Sequence, residues 1–419
     1  MANKVVKAIL LGAGQRGNAY CDYALNNPDE IQIVGVAEPD SVRRKDFQKK
    51  HNIPELDCFD TWEDIFARDK WADALIICTQ DNMHYEPAMT AIAMGYDILL
   101  EKPISPNPRE CVEIAHAAEA KGVKVVVCHV LRYTPFFSKI KEIIDSGEIG
   151  DVVTVVHNEN VGDLHHSHSF VRGNWGNSEA SSPMILAKSC HDMDIMQWLV
   201  DKDCLRLSSF GSLSYFTKEN CPQGAPARCT DGCKVEDCPY DARKLYLNSD
   251  NEWFRSVAAG HYNATDEEVE IALKTGPYGR CVYQCDNDVV DHQVVSMQFQ
   301  DGVTAIFSMS SLTPDTSRSI KIMGTKGQIK GHSTPKSIII NNFVERSERE
   351  IIADSEGGHG GGDVGIVEAF CAYVTGKNPG KTISEANISA QNHMLCFAAE
   401  KSRLEGGAIV EIKSFLEGI

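Results

Sequence analysis

The sequence predicts an α/β protein in two parts: a doubly wound parallel sheet within residues 1–130, and an α/β domain with a large, mostly antiparallel sheet within 131–419. Three observations predict this. The first part alternates continuous apolar runs of strand length with segments of helical period, as in a parallel sheet covered on both faces. Later segments alternate apolar and polar residues, which is typical of half-covered antiparallel strands. The length of 419 residues exceeds that of most single domains.

The elements of the first part follow directly from these periods. Predicted strands cover residues 5–11, 31–37, 74–79, 97–100 and 123–128, and predicted helices cover 16–26, 41–51, 84–94 and 107–121. Each strand is followed by a helix over a short connection. Because such crossovers are almost always right-handed, the strands are expected to form one parallel sheet with helices on both faces.

Beyond residue 150 the pattern changes to hairpins. Two alternating strands flank Asp301-Gly302, and this dipeptide is a strong signal for a tight turn. A second hairpin is expected within 320–331, around a glycine turn. One helix is expected near 184–201 and another at 383–404, close to the C-terminal end.

Charge and composition limit the classes of partner. The formal net charge is −18 and the sequence pI is about 5.2. Such a surface repels phosphate backbones and anionic lipids, which argues against nucleic-acid and membrane-surface roles. No signal peptide or membrane-spanning run is evident, and the fifteen cysteines are mostly scattered. The sequence therefore predicts a cytoplasmic protein that acts on a small molecule.

A glycine motif follows the first predicted strand and opens a helix. Gly12-x-Gly14-x-x-Gly17 allows a tight turn and a close approach of a diphosphate to backbone N–H groups. Glu38 ends the next strand, 21 residues after Gly17, where a carboxylate accepts the hydroxyls of a ribose. The motif predicts a dinucleotide-binding Rossmann domain with NAD as cofactor. Two arginines that follow closely leave NADP as the less favoured alternative.

A lysine stands at the carboxyl end of another predicted strand. Lys102 follows the strand at 97–100, and ligands of doubly wound sheets bind at this edge. Pro103 disfavours a helical conformation for Lys102, so the lysine does not simply continue into a solvated helix. A solvent-exposed charge is the alternative interpretation, but the position beside a nicotinamide site favours a functional amine.

These motifs together resemble one enzyme family. The stretches GAGQRG (12–17), TQDNMHYEPA (79–88) and EKPIS (101–105), with Glu38, are similar to the Gfo/Idh/MocA oxidoreductases. The resemblance implies hydride transfer between a nicotinamide and a hydroxyl of a sugar, inositol or related polyol. The cofactor contacts that it implies are Gly12, Gly14, Gln15, Arg16, Gly17, Glu38, Thr79, Asn82, His84, Glu101 and Lys102.

The resemblance also implies catalytic roles. Lys102 matches the family lysine that hydrogen-bonds the reacting hydroxyl, and His191 matches the histidine that accepts its proton; a cis Lys102–Pro103 bond is expected. Where the family often has an aspartate four residues before this histidine, the chain has Ala187, followed by Lys188. On a helix Lys188 and His191 would share a face, and the ammonium would keep the imidazole neutral. The alternative is that His191 is a core histidine.

Other polar clusters are candidates for substrate contacts. The stretch 158–175 combines histidines with an arginine and a tryptophan, as expected for a sugar-binding loop, and a metal site at His165 and His168 is the less favoured alternative. Later histidines stand before a hairpin and in a glycine-rich loop, where turn residues are an equal alternative. The candidate substrate residues are His165, His168, Arg172, Trp175, His292 and His359.

Four cysteines lie within eighteen residues of an insertion at about 217–247. Cys221, Cys229, Cys233 and Cys238 could close a tetrahedral site and fasten a segment that buries little apolar surface. Their spacing is not that of paired CxxC knuckles. A structural zinc ion, an iron–sulfur cluster, and free thiols or disulfides therefore remain open.

The leading hypothesis is an NAD-dependent dehydrogenase of a sugar, glycoside or polyol, with the C3 hydroxyl favoured. One alternative is an NAD-dependent glycoside hydrolase that oxidises C3 transiently and eliminates the aglycone without net redox change. The other is a non-catalytic sensor of NAD and sugar, against which the presence of both Lys102 and His191 argues. Because one face of the second sheet needs cover, a homo-oligomer is expected.

Overall fold

The structure is a computed structural model that describes residues 4–247, 250–354, 358–378 and 380–419. Its first sheet consists of β1 (Val6–Leu11), β2 (Ile31–Ala37), β3 (Cys58–Phe59), β4 (Ala74–Ile77), β5 (Asp97–Leu100) and β6 (Val125–Val127). All pairs are parallel, in the order β3-β2-β1-β4-β5-β6. The predicted parallel sheet is confirmed. Sequence analysis missed β3, because a strand of two residues is too short to show a hydrophobic pattern.

Helices cover both faces of this sheet. They are α1 (Gln15–Cys21), α2 (Tyr23–Asn26), α3 (Ser41–His51), α4 (Trp62–Phe66), α5 (Tyr85–Met94) and α6 (Pro108–Lys121). The predicted helix at 41–51 is confirmed, and the Asp40 side chain caps it by accepting the N–H groups of Val42 and Arg43. The helix predicted at 16–26 is divided into α1 and α2 at Asp22.

The second sheet has nine strands: β7 (Val152–Asn160), β8 (Cys204–Ser212), β9 (His292–Phe299), β10 (Thr304–Ser310), β11 (Ser317–Gly324), β12 (Gly327–His332), β13 (Ser337–Asn342), β14 (Ser347–Ile352) and β15 (Val410–Glu411). Their order is β14-β13-β12-β11-β7-β10-β9-β8-β15. Only the β7–β10 pair is parallel. The predicted large, mostly antiparallel sheet is confirmed.

Both predicted hairpins form. β9 and β10 pair around a three-residue turn, Gln300–Gly302, in which Asp301 and Gly302 have positive φ. β11 and β12 pair within the predicted range 320–331 and extend slightly beyond it. Alternate residues of β9 and β10 are buried on one face, so the sheet keeps a helix-covered face and an open face.

The helices of the second part are α7 (Pro135–Asp145), α8 (Asp163–His166), α9 (Met184–Ala187), α10 (Cys190–Val200), α11 (Glu252–Ala259), α12 (Asp266–Thr275), α13 (Gly362–Val374), α14 (Ala386–Leu404) and α15 (Ile412–Glu417). The single helix expected near 184–201 is divided into α9 and α10 at Lys188-Ser189. The C-terminal helix expected at 383–404 begins at Ala386.

The chain returns to the first sheet near its C-terminal end. Ile366 and Phe370 of α13 lie in one apolar cluster with strand residues of the first domain, and Met394 of α14 lies in another. The backbone N–H of Val127 in β6 donates to the carbonyl of Ser384, just before α14. These contacts fix the two parts of the protein against each other around the carboxyl edge of the parallel sheet.

Candidate active site

The glycine loop between β1 and α1 leaves one open position. A Cβ atom added at Gly17 would lie 2.2 Å from the carbonyl oxygen of Gly12, and one added at Gly12 would lie 2.6 Å from the carbonyl oxygen of Cys78. A Cβ atom at Gly14 would meet nothing within 4 Å. Gly12 and Gly17 are therefore required by packing, whereas Gly14 faces the space in which a diphosphate fits against the start of α1.

Because Gly14 is open and Gly17 is packed, substitutions at these two positions should affect cofactor binding and stability separately. We expect Gly14→Val to leave the melting temperature nearly unchanged and to weaken NAD binding by about tenfold or more, because the new side chain enters the diphosphate space. Gly17→Ala should instead lower the melting temperature, because its Cβ collides with backbone. Calorimetric titration and thermal unfolding measure the two effects. Equal loss of stability in both variants would contradict this assignment of Gly14.

Glu38 lies directly after β2 and is buried. Its carboxylate accepts the backbone N–H of Ala13 at 2.8 Å and that of Asp40 at 3.0 Å. Arg43 also donates to it, at 3.0 Å. The carboxylate is thus held beside the glycine loop, where the adenosine ribose of a dinucleotide would lie. The open space at Gly14 and this carboxylate both fit NAD.

Arg16 and Glu101 are structural partners of the loop. Arg16 donates to Glu101 at 2.8 Å and to both carboxylate oxygens of Asp363, at 2.7 and 3.2 Å. Tyr20 also donates to Glu101, at 2.8 Å. The guanidinium is therefore occupied by carboxylates of both domains. Arg16 and Glu101 shape the cofactor site, but the predicted direct contact of Arg16 with the cofactor would compete with these ion pairs.

Lys102 projects from the carboxyl edge of the parallel sheet toward the second domain. The Lys102–Pro103 peptide bond is cis, as expected. The ammonium of Lys102 donates to the carbonyl of Ala187 at 2.7 Å. His84 lies behind this turn, with its ring nitrogens 2.8 Å from the carbonyl oxygen of Pro103 and 3.2 Å from that of Thr79. His84 thus positions the lysine turn.

Two further predicted cofactor contacts lie on the turn after β4. Thr79 donates its hydroxyl to the carbonyl of Met83 at 3.1 Å. Asn82 is exposed on the same turn. Both stand at the carboxyl edge of the sheet beside His84, so they border the cleft in which the dinucleotide would lie.

His191 lies in the first turn of α10 and is 5% exposed. Its Nδ1 atom is buried and has no hydrogen-bond partner among the described residues. Burial, together with the positive charge of Lys102, lowers the pKa of His191 well below its ordinary value. The imidazole is therefore neutral at physiological pH and can accept a proton.

The helical face predicted for Lys188 and His191 does not form. The helix breaks between them, and the ammonium of Lys188 lies 3.9 Å from a carboxylate oxygen of Glu159. Burial and Lys102, rather than Lys188, account for the neutral imidazole. The break also frees the carbonyl of Ala187, which receives Lys102. Burial lowers the pKa of Lys188 to about 8, although Glu159 opposes this shift.

His359 reaches the same cleft from the glycine-rich loop before α13. Its ring centroid lies 6.2 Å from that of His191. Its Nδ1 atom lies 3.0 Å from a carboxylate oxygen of Asp363. Although burial opposes the shift, hydrogen bonds from His359 and Arg16 hold the pKa of Asp363 below its ordinary range. Asp363 thereby orients His359 beside His191.

His165 is the other substrate candidate that reaches this cleft. Burial and the charge of Lys188 lower its pKa well below the ordinary value. Its ring lies 5.1 Å from that of Trp253, at an interplanar angle of 86°. Trp253 donates its indole N–H to Gln15 of the glycine loop at 2.6 Å. Sequence analysis did not single out Trp253, which lies 238 residues from its partner and outside every recognisable motif.

The structure does not bring His168 and Arg172 into this cleft. His168 is buried, donates to or accepts from the hydroxyl of Tyr246 at 2.9 Å, and stacks on Phe254 at 4.5 Å. Arg172 is also buried and donates to the carbonyls of Arg280 and Tyr240. Both residues support the insertion, because the loop that carries them passes beneath it.

Trp175 and His292, which were also predicted to contact the substrate, have other positions in the structure. Trp175 donates to the carboxylate of Asp81 at 3.2 Å and thus joins the two domains at the rim of the cleft. His292 begins β9 with its side chain half exposed on the open face of the sheet, 2.7 Å from Asp291. Since His191 lies on the helix-covered face, the sheet separates His292 from it.

The zinc expected at Cys221, Cys229, Cys233 and Cys238 has no support. Over the described parts of the chain, no group of three or more His, Cys, Asp or Glu side chains is placed to hold a metal ion. All fifteen cysteines are free thiols. Cys229 instead lies 3.8 Å from the guanidinium of Arg172, and Cys221 contacts the amide of Gln284. Within the described residues, His165 and His168 likewise belong to no group that could hold a metal ion.

Beneath the cleft lies a buried ionic network that sequence analysis missed. Arg318 donates to Asp192 at 2.7 and 2.9 Å and to Glu159 at 2.6 Å. Ser189, at the break between α9 and α10, donates to Glu159 at 2.7 Å. The network fixes the start of α10 and hence the position of His191. Its charged members are far apart in the chain, with Arg318 126 residues from Asp192 and 159 from Glu159, so no local spacing indicates the network.

The cleft therefore combines a dinucleotide cradle, an ammonium held by a carbonyl and a neutral imidazole. The ammonium of Lys102 follows a strand of the first domain, and the imidazole of His191 lies on a helix of the second. Both groups face the same space. Such a pair can donate a hydrogen bond to a hydroxyl oxygen and accept its proton, while a dinucleotide supplies the redox chemistry.

Comparisons with known proteins identify the family of both domains. Residues 6–129 match the Gfo/Idh/MocA oxidoreductase family, NAD-binding Rossmann fold, and residues 141–402 match its C-terminal alpha/beta domain. The oxidoreductase YteT of Bacillus subtilis is 26% identical over 372 residues, which are 83% of either chain. Inositol 2-dehydrogenase of Salmonella typhimurium is 26% identical over 200 residues, which are 47% of this chain and 55% of that enzyme.

A solved structure supports the fold. An inositol dehydrogenase homolog from Azotobacter vinelandii, complexed with NAD+, superimposes with a TM-score of 0.70 at 13% identity and covers 97% of both chains. Among the described helices, none is long and apolar enough to cross a membrane.

Proposed function

Because the chain belongs to the Gfo/Idh/MocA oxidoreductase family and binds NAD in a Rossmann domain, we propose that it oxidises a secondary hydroxyl of a polyol, sugar or glycoside. The observation that carries the proposal is the approach of Lys102 and His191 to one cleft beside the glycine loop. Lys102 crosses from the first domain to the carbonyl of Ala187, four residues before His191 in the second.

Each group has a distinct task in this reaction. Bound NAD would supply the acceptor for the carbinol hydrogen, which leaves as hydride. Lys102 donates a hydrogen bond to the hydroxyl oxygen and stabilises the negative charge that develops on it. His191 accepts the hydroxyl proton, since burial and Lys102 keep it neutral. His359, oriented by Asp363, borders the substrate beside His191.

The experiment is a substrate screen with the purified protein and NAD. Inositols, free sugars and glycosides are supplied separately, and reduced nicotinamide is followed by its absorbance. A matched panel of deoxy sugars then identifies the hydroxyl that reacts. We place the reaction at C3 of a pyranose ring, so the 3-deoxy compound should be inert while the 2-deoxy and 4-deoxy compounds react. Absence of hydride transfer with every polyol, together with tight sugar binding, would favour the non-catalytic sensor instead.

The cofactor preference gives a separate prediction. The buried carboxylate of Glu38 would repel a 2′-phosphate, so we expect NAD to bind at least about tenfold more tightly than NADP. Glu38→Ser should narrow this ratio, because the Arg43 that now pairs with Glu38 becomes free to meet the phosphate. Calorimetric titration with both dinucleotides measures the ratio. An unchanged ratio in Glu38→Ser would show that another residue selects the cofactor.

We also propose that a second copy of the chain covers the open face of the nine-stranded sheet. That face exposes the large apolar side chains of Phe210, Val294 and Ile306, on the neighbouring strands β8, β9 and β10. Contiguous apolar surface of this kind is typical of interfaces between subunits. Light scattering should give at least twice the chain mass of 46.2 kDa, and Phe210→Glu with Ile306→Glu should return it to that of one chain.

A further inference from the structure

Lys188 lies at the break between α9 and α10, and the proposed reaction gives it no task. Its side chain is only 14% exposed, and its ammonium lies 3.9 Å from a carboxylate oxygen of Glu159. That separation is too long for a hydrogen bond. Over the described residues, this ammonium makes no hydrogen bond. A mostly buried group with three donors is therefore left without an acceptor.

Glu159 is not a full partner for Lys188. One of its carboxylate oxygens accepts from Arg318 at 2.6 Å, and the other accepts from Ser189 at 2.7 Å. The oxygen that pairs with Lys188 is the one that Arg318 already binds. Burial accordingly lowers the pKa of Lys188 to about 8, although Glu159 opposes the shift. The ammonium is thus less stable here than in water, and a further anion beside it would stabilise it.

Lys188 lies among the side chains that border the substrate space. Burial, followed by the charge of Lys188, lowers the pKa of His165. The pKa of His359 is lowered by burial, Arg16 and Lys188. Asp363, which is hydrogen-bonded to this ring, opposes the shift. Because the effect of a charge on a pKa decreases with distance, the ammonium of Lys188 lies close to both imidazoles.

The other charged groups around this ammonium are already paired. The guanidiniums of Arg16 and Arg318 each bind two carboxylates. His165 and His359 are neutral at physiological pH, because burial lowers their pKa values. Among the described residues, His359 is hydrogen-bonded only through Nδ1, and His165 makes no hydrogen bond. The space therefore offers one positive charge beside two imidazoles that can donate.

We infer that Lys188 binds a carboxylate of the substrate, so that the proposed dehydrogenase acts on a sugar acid, namely a uronic acid or its glycoside. This inference rests on the proposed function and adds a specificity-determining residue to it. A carboxylate only accepts hydrogen bonds and carries one negative charge, which matches one ammonium with imidazole N–H groups around it. A neutral sugar would displace water from Lys188 without supplying a counter-charge, and such burial of a charge is costly.

A phosphate group fits these residues less well. It carries up to about two negative charges and is typically bound by arginine forks or by the free N–H groups of a helix N-terminus. The forks of Arg16 and Arg318 are occupied by carboxylates. A single ammonium beside neutral imidazoles therefore favours a carboxylate over a phosphate.

Matched methyl glycosides of gluco, galacto and manno configuration test the inference. Each uronate is compared with its uronamide, which has the same shape without the charge, and kcat/KM is measured from the reduction of NAD. We expect the preferred uronate to exceed its uronamide by about 10- to 100-fold, since a hydrogen bond to a charged group contributes about this factor. Lys188→Met should bring this ratio close to one, and Lys188→Arg should preserve most of it. A merely structural role of Lys188 would slow both compounds equally and leave the ratio unchanged.

Lys141→Met is the matched control. Lys141 of α7 is similarly buried, pairs with Asp145 at 3.0 Å and lies 6.0 Å from the ring of Trp198, towards the other end of α10 from His191. Its loss should leave the ratio of uronate to uronamide unchanged. Calorimetric titration of protein loaded with reduced nicotinamide dinucleotide, in which no oxidation can occur, should show the same preference for the uronate in binding.

The outcomes separate this inference from the proposed function. Oxidation of neutral sugars or inositols without preference for any uronate, or a preference that survives Lys188→Met, would overturn the carboxylate site and leave the proposed oxidation of a hydroxyl intact. Tighter binding of the 6-phosphates than of the uronates would assign Lys188 to a phosphate and also overturn it. Failure of every sugar, sugar acid and inositol to reduce NAD would contradict the proposed function itself.

Discussion

Lys102→Ala should reduce the rate of hydride transfer by about 10³-fold or more, because the hydroxyl oxygen loses the donor that stabilises its developing charge. In this structure the ammonium is already positioned, since it donates to the carbonyl of Ala187 at 2.7 Å. A substrate hydroxyl that approaches this ammonium needs no rearrangement of the lysine. The rate is measured in single turnovers, as the change in nicotinamide absorbance after substrate is mixed with NAD-loaded protein.

The same variant should bind NAD almost as tightly as the unaltered protein. We expect the dinucleotide to be held mainly at Gly14 and Glu38, on the glycine-loop side of the cleft, so the loss should appear in the chemical step. Lys274→Ala is the matched control: this lysine pairs with Glu270 on the exposed surface of α12, and its loss should leave the rate unchanged. Undiminished turnover in Lys102→Ala would overturn the assigned role of the lysine. An equal loss of NAD binding would show that Lys102 mainly holds the cofactor.

The parts of the site that could be predicted from the sequence are those that local chemistry dictates. Gly12 and Gly17 are required by backbone packing, and a strand of apolar residues precedes them, so both the motif and its position were evident. Lys102 was found in the same way, because the strand before it ends at Leu100 and Pro103 restricts its backbone. The hairpin at Asp301-Gly302 likewise depends on two adjacent residues of positive φ.

The parts of the site that could not be predicted from the sequence depend on contacts between distant segments of the chain. His168 and Arg172 have the composition of a sugar-binding loop, but the insertion covers them, and the sequence contains no signal for that burial. Trp253 and Gln15 belong to different domains, and nothing in either local pattern indicates their hydrogen bond. The separation of α9 from α10 was also missed, because the residues around Lys188 remain compatible with a continuous helix. The break is stabilised by Lys102, which donates to the carbonyl of Ala187 at the end of α9, and by Ser189, which donates to Glu159 outside both helices.

Removal of Arg318 is expected to have the largest effect on stability. Its guanidinium neutralises two buried carboxylates, Asp192 and Glu159, through three hydrogen bonds. Arg318→Met would retain much of the side-chain volume but remove the guanidinium that is hydrogen-bonded to both carboxylates. Breaking a buried ion pair in this way costs about 3–5 kcal/mol of unfolding free energy. Arg349→Met is the control, since Arg349 pairs with Glu148 at the surface and its loss should cost about 1 kcal/mol or less.

The pH dependence of this difference identifies its cause. Although burial opposes the shift, Arg318 and His157 hold the pKa of Asp192 below its ordinary value, so its contribution is present at neutral pH and is lost only on acidification. In Arg318→Met burial would instead raise the pKa of that carboxyl, and the penalty would grow as pH rises through the raised value. The stability gap between the two proteins should therefore be smaller near about pH 5 than near about pH 8. Denaturant titrations at both pH values measure the gap. A difference in unfolding free energy that does not change with pH would mean that lost packing, rather than two uncompensated carboxylates, destabilises the variant. The ionic network would then not be what holds His191 in place.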